Sequence, residues 1–203
     1  MGEAKRRQRQ AQTFDYQFIE AVGGAIRKLA SAASGYLGGD CYLHAAIGKE
    51  LLASNGIQAE IAAGYAAWRT GPADGSVISH TAKEVSYLPS GAQGFAYHAW
   101  LVAGEHIVDF TTYQLPRKAA ELDAADGGHT ELEWCPELLI APLRSVCSYR
   151  EVAQGDAGMY FYERHAKVEA LLASTFALAP EDLETARLIL ASPDVLVLGP
   201  NHE

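Results

Sequence analysis

The sequence predicts an α+β fold, and three observations carry that prediction. Apolar residues recur at helical spacing near the N-terminus and again near the C-terminus. Between these stretches the pattern switches to alternation, the period of a strand. Two alternating runs, "FAYHAWLV" and "HIVDFTTY", meet at Ala103-Gly104 as a hairpin, so the sheet is expected to be mostly antiparallel. The 203 residues, 49% hydrophobic and 20% charged, suffice to bury a full core. Residues 1–12 read as a basic, disordered arm and residues 13–203 as a single domain.

Phe14, Phe18, Val22, Ile26 and Leu29 trace a first helix with Thr13 as its N-cap. Gly23 and Gly24 either weaken that helix or let a neighbour approach it closely. A second helix is predicted from Cys41 to Ser54, stopped by "SNG" with Gly56 at the C′ position. Ile57, Ala59, Ile61, Ala63, Tyr65 and Ala67 then alternate as a strand. Weaker strands are expected over 77–80 and 85–88, followed by the loop "PSGAQG" and the hairpin. Residues 116–130 read as a polar, mobile segment. Further strands are expected at 138–140, 145–149 and 159–162, and helices at 164–178 and 181–191.

A net charge of −9 argues against a general nucleic-acid binder, which needs a basic face to neutralise phosphates. The one local exception is "MGEAKRRQRQ", which no apolar signal-peptide stretch follows. No run is long enough to span a membrane, and the expected address is the cytoplasm. Cys41, Cys135 and Cys147 are an odd number without close spacing, so neither a disulfide framework nor a zinc knuckle is indicated.

"GGDCYLHAAIGKELL" sets Cys41 at the first turn of its helix with Asp40 as N-cap. Unpaired N–H groups and the positive end of the helix dipole favour a thiolate there and can hold a developing oxyanion. Gly38 and Gly39 leave room for a substrate to approach. A cysteine at a helix start is more often a small packed residue, so the chemistry needs a base. With the turn centred on Ala103-Gly104, His98 faces Asp109 directly; a shift of two would still leave them on one face. That face carries His98, Trp100, Ile107 and Asp109, while Ala99, Leu101, Val108 and Phe110 point the other way. A histidine held between a carboxylate and a thiol has the logic of a nucleophilic triad.

"GGDCYLHAAIGKELLASNGIQAEIAAGY", "YHAWL" and "IVDFTT", in that order, resemble the transglutaminase-like branch of the papain-like cysteine-enzyme superfamily. The resemblance covers roughly residues 35–113. It implies a nucleophile helix packed on an antiparallel sheet, to which the helices read at both ends of the chain are additional. It also implies Cys41 as nucleophile, His98 as base and Asp109 as the group orienting His98. The expected reaction is amide hydrolysis or acyl transfer on a peptide or protein amide, with no metal or organic cofactor. Two features depart from the pattern. Residues 69–94 are longer than the compact family core, and no glutamine precedes Cys41, which leaves the Cys41 backbone N–H as the oxyanion donor. "GGDC" also resembles arylamine N-acetyltransferases, although Leu37 stands where they have arginine.

Trp100, Tyr65 and Trp68 are the candidates for lining a substrate groove, with Tyr97 beside them; core packing is the ordinary fate of such residues. Trp100 shares the face of His98 and is expected to shield the ion pair. His44, one turn along from Cys41, is expected on the solvated surface. His80, His106, His129, His165 and His202 show no partners in sequence, and no HExxH or CxxC spacing supports zinc. Two alternatives stay open: an acetyl-coenzyme A-dependent N-acyltransferase, and a papain-fold binding or scaffold protein without turnover. Sequence leaves the oligomeric state open.

Overall fold

The computed structural model describes residues 14–33, 37, 40–81 and 96–200. Helix α1, Tyr16–Ala32, is capped by Asp15, whose carboxylate accepts the Phe18 N–H at 3.0 Å. Thr13, the expected cap, lies outside the described residues. Gly23 serves close packing: a Cβ there would stand 3.3 Å from Leu138 and 3.5 Å from Phe110. Helix α2, Cys41–Ser54, begins and ends where the sequence predicts, with Asp40 as N-cap and Gly56 at φ +76° just past the C-cap.

Strands β1 (Glu60–Arg69), β2 (Val77–His80), β3 (His98–Ala103), β4 (His106–Asp109), β5 (Leu139–Pro142) and β6 (Tyr160–Arg164) build one curled antiparallel sheet. Long β1 is its axis. One edge pairs with β3 over Glu60–Gly64 and then with β2 over Ala66–Arg69. Gly64 to Trp68 pair with β6 as well, so β6 must lie along the opposite edge. The expected strand at 85–88 and the loop after it lie outside the described residues.

The hairpin turns one residue later than expected. Leu101 pairs with Val108 and Ala103 with His106, leaving Gly104-Glu105 as a two-residue loop with Gly104 at φ +59°. His98 and Asp109 stay on one face, related diagonally rather than directly.

Both faces of the sheet are covered. Helices α1, α2 and the last helix, α6 (Pro180–Ala191), bury Ile19, Val22, Ile26, Leu51 and Ile189 against Leu101, Val108 and Phe110. On the other face Trp68, Ile78, Trp100, Ile107 and Tyr162 form a second core under helix α3, Leu115–Asp126. That helix replaces the expected mobile segment. Pro116 near its start and Gly127 at φ +74° past its end are the start and stop signals it carries. The expected strand at 145–149 is also corrected: a short turn, Leu143–Ser145, leads into α4, Tyr149–Gln154, capped by a reciprocal Ser148–Glu151 box. Helix α5, Ala166–Thr175, packs Val168 and Leu172 on Ala63 and Ala99 beside Cys41. Among the described residues no helix is long and apolar enough to cross a membrane.

Candidate active site

Cys41 is the first residue of α2 and is half-buried. Asp40 Oδ1 accepts the N–H groups of Tyr42 at 2.8 Å and Leu43 at 3.1 Å. Among the described residues, no acceptor takes the N–H of Cys41 itself. The second oxygen of Asp40 accepts the Tyr97 hydroxyl at 2.6 Å, which brings the residue before His98 up to the helix start. Burial first, and then its neighbours Cys41 and Asp40, hold the Tyr97 phenol well above its ordinary value.

His98 opens β3 opposite Gly64. Its Nε2 donates to Asp109 Oδ2 at 2.7 Å, and Cys41 lies close enough to the ring to help hold it protonated. With Nε2 taken, Nδ1 is the nitrogen left for the thiol. Burial alone pushes the ring toward its neutral form; the charge and hydrogen bond of Asp109, with Cys41, outweigh it and raise His98 well above an ordinary histidine. Asp109 shows the mirror image. Burial raises it, but His98 and the hydrogen bonds from Tyr162 and Thr111 win, and the carboxylate stays ionised.

Four donors saturate Asp109. Oδ2 takes His98 and the Tyr162 hydroxyl, both at 2.7 Å. Oδ1 takes the Thr111 N–H at 2.9 Å and its hydroxyl at 2.7 Å. Trp68 Nε1–H in turn donates to the Tyr162 oxygen at 2.9 Å.

The ring of His98 is also fixed by its neighbours. Along β1, Ala62, Gly64 and Ala66 face Trp100, His98 and His80, so these three side chains share one face at two-residue spacing. His80 stacks on His98 at 5.7 Å and 19°, Trp100 at 6.2 Å and 14°, and Trp68 meets the ring edge-on at 4.7 Å. Burial, then the adjacent His98 charge, hold His80 far on the neutral side, at about 3.

The structure brings Cys41, His98 and Asp109 together and separates the expected groove residues. Trp68 and Trp100, each 2% exposed, form a buried wall around His98 instead of an open groove. Tyr65 points to the opposite face of β1, where its ring meets His165 at 5.7 Å. His80 does have partners, and His44 is corrected outright. Expected at the surface, it is 0% exposed, with Nδ1 2.6 Å from the Asp40 carbonyl and Nε2 3.1 Å from the Tyr113 hydroxyl. Thr111, two residues past Asp109 in the quoted "DFTT", is the one missed partner visible in sequence. Tyr162 and His80 come from strands whose register no local pattern reveals. Among the described residues no group of three or more His, Cys, Asp or Glu is arranged to hold a metal ion.

No protein-family model matches the chain, and no curated protein matches it. Among solved structures, it is similar to a crystal structure from a genomics programme that is described by a target code alone. The two share 16% identity over 93% of this chain and 86% of that one, with a TM-score of 0.57. The likeness is one of fold, and the shared fold is a mixed α+β one.

Proposed function

We propose that this chain is a papain-like, cysteine-dependent amide hydrolase or acyltransferase working through a thioester at Cys41. One observation carries the reading: a single buried imidazole is hydrogen-bonded to a saturated carboxylate and lies near enough to the helix-start thiol to be raised by it as well. A structural cysteine needs no such partner, and a structural ion pair needs no thiol.

In this reading the His98 imidazolium is the counter-ion of a thiolate nucleophile. The sulfur attacks the amide carbonyl carbon; a C–S bond forms and the carbonyl π pair moves onto oxygen. The Cys41 N–H donates to that oxyanion. As the oxyanion collapses, the C–N bond breaks and His98 passes a proton to the departing nitrogen. Water or an amine then loses a proton to neutral His98 and attacks the thioester. The acyl group leaves on the acceptor and the thiolate returns. Asp109 keeps Nε2–H engaged throughout, which reserves Nδ1 for the proton transfers. Trp68 and Trp100 keep water from the ion pair.

Incubation with a panel of peptide carboxamides, followed by intact-mass and peptide mapping, tests this. The expected result is an acyl adduct on Cys41 that hydroxylamine removes, with release of ammonia or an amine. The adduct should be absent in Cys41→Ser and slow to form in His98→Ala. If brief iodoacetamide treatment labels all three cysteines equally, and His98→Ala leaves Cys41 labelling unchanged, the chain is a binding protein without this chemistry.

A further inference from the structure

The peptide unit joining Asp40 to Cys41 has two polar ends. Its N–H end belongs to Cys41 and lies at the sulfur, where the proposed reaction needs an oxyanion donor. Its carbonyl end is gripped twice by one residue. Asp40 O accepts the backbone N–H of His44 at 3.2 Å, the ordinary helical bond, and also His44 Nδ1 at 2.6 Å. A carbonyl only accepts, so Nδ1 carries the hydrogen. Nε2 then accepts the Tyr113 hydroxyl at 3.1 Å, and the Tyr113 oxygen accepts Gln114 Nε2–H at 3.0 Å. The donors run one way: Gln114, Tyr113, His44, Asp40 carbonyl. Burial keeps this imidazole on the neutral side, as the chain of donors requires. Tyr113 belongs to the short helical turn Thr112–Gln114, three residues after Asp109 closes β4.

We propose that His44 is a positioning residue for the oxyanion donor, fixing and polarising the peptide group whose N–H serves Cys41. This rests on the reading of Cys41 as nucleophile. Two physical effects carry it. A second donor on the carbonyl draws electron density toward oxygen and strengthens the N–H at the other end as a donor, the cooperativity of hydrogen-bond chains. The ring, clamped between α2 and the turn after β4, also prevents the first peptide plane of the helix from tilting when charge appears beside it. Preorganisation of this kind is what makes an oxyanion donor effective. Burial alone requires both nitrogens to be bonded; what is particular here is that one partner is the carbonyl of the very peptide whose N–H lies at Cys41.

Two reagents that attack the same sulfur separate this role from packing. Iodoacetamide reacts at a saturated carbon: a C–S bond forms, iodide leaves, and no oxyanion develops. p-Nitrophenyl acetate reacts at a carbonyl: an oxyanion forms and collapses, p-nitrophenolate leaves, and Cys41 carries the acetyl group. His44→Leu, which keeps volume but has no donor, is expected to slow acetylation about tenfold, part of the roughly 10²–10³ lost with a whole oxyanion donor. Alkylation should stay within about twofold of wild type, because that step uses no oxyanion donor. His44→Asn, whose amide nitrogen takes the place of Nδ1, should recover most of the acetylation rate. Tyr113→Phe, which leaves the ring in place and removes its orienting donor, should lower the same ratio more mildly, and it decides the matter if His44→Leu does not fold. Equal slowing of both reactions, or an unchanged ratio in His44→Leu and Tyr113→Phe, overturns the proposal while leaving Cys41 as nucleophile. Wild-type labelling of the three thiols at one rate overturns that reading itself, and this inference with it.

Discussion

Asp109 has no lone pair left to offer, and that saturation sets what its replacement does. Asp109→Asn removes the charge that holds His98 protonated and presents an amide to four donors. Turnover is expected to fall by about 10²–10⁴, in the range seen when a triad carboxylate is lost. Steady-state kinetics beside a far-UV spectrum check that the fold survives. Tyr162→Phe is gentler and has a sign. The hydroxyl stabilises the ionised carboxylate, so removing it raises Asp109, and the acid limb of the pH–rate profile should move to higher pH. A profile unchanged on the acid side would mean that Tyr162 is only a packing residue. At this scale the sequence told much about Cys41, His98 and Asp109, because a helix start and one hairpin place all three locally. It told nothing of Tyr162, which enters from a strand 53 residues beyond Asp109.

Two glycines on neighbouring helices make opposite predictions. A Cβ on Gly48, in α2, would stand 2.2 Å from the Phe110 ring, and Phe110 directly follows Asp109. Gly48→Ala therefore pushes α2 off the strand that holds Asp109, at a cost of about 1–3 kcal/mol from overpacking. Gly24 in α1 has nothing within 4 Å of its would-be Cβ, so Gly24→Ala should stabilise by about 0.5–1 kcal/mol through helix propensity. Urea unfolding of both variants gives the two signs; a neutral Gly48→Ala would show that the ring yields freely. The helices misread from sequence failed for physical reasons. Helix α3 has a weak apolar stripe, with only Leu115 and Ala119 buried, so its caps announce it better than its periodicity. Helix α4 is six residues long, too short for periodicity to show, yet its Ser148-x-x-Glu151 box is plain in the chain. His44 was misplaced because the element that buries it, the turn bearing Tyr113, is far away in sequence.

For the molecule as a whole, the buried ion pair ties stability to pH. His98 is raised on folding, so its contribution is complete below its ordinary value of 6.5 and is lost as pH climbs through the raised one. Asp109 is lowered, so its contribution is complete above its ordinary value of 3.8 and is lost as acid drives pH through the lowered one. Melting temperature should thus fall from about pH 6.5 upward in the wild type, and the slope should flatten in His98→Gln. Thermal melts across that range decide it; parallel curves would dissociate the pair from stability. The overall charge of −9 makes a poor lure for a polyanionic coenzyme, so acetyl-coenzyme A should leave no acetyl group on Cys41. An acetyl adduct that disappears in Cys41→Ser would reassign the donor. The α+β class was legible because helical and alternating stretches are segregated along the chain. The double pairing of β1 was not, since no local pattern says that one strand will serve three partners.

That double pairing has an evolutionary consequence. The chain leaves β2 at His80 and re-enters β3 at His98, and the two residues face positions only two apart on β1. Whatever length of chain joins them, both ends are anchored on the same rail, beside the histidine that the proposed chemistry uses. Loop entropy grows slowly, by about 0.6 kcal/mol for each doubling of length. Insertions and deletions over 82–95 are therefore inexpensive for the sheet, because the two anchoring residues stay paired on β1 whatever the length between them. The architecture separates what must be kept from what is free to diverge, and new specificities have an entry point that leaves the sheet undisturbed.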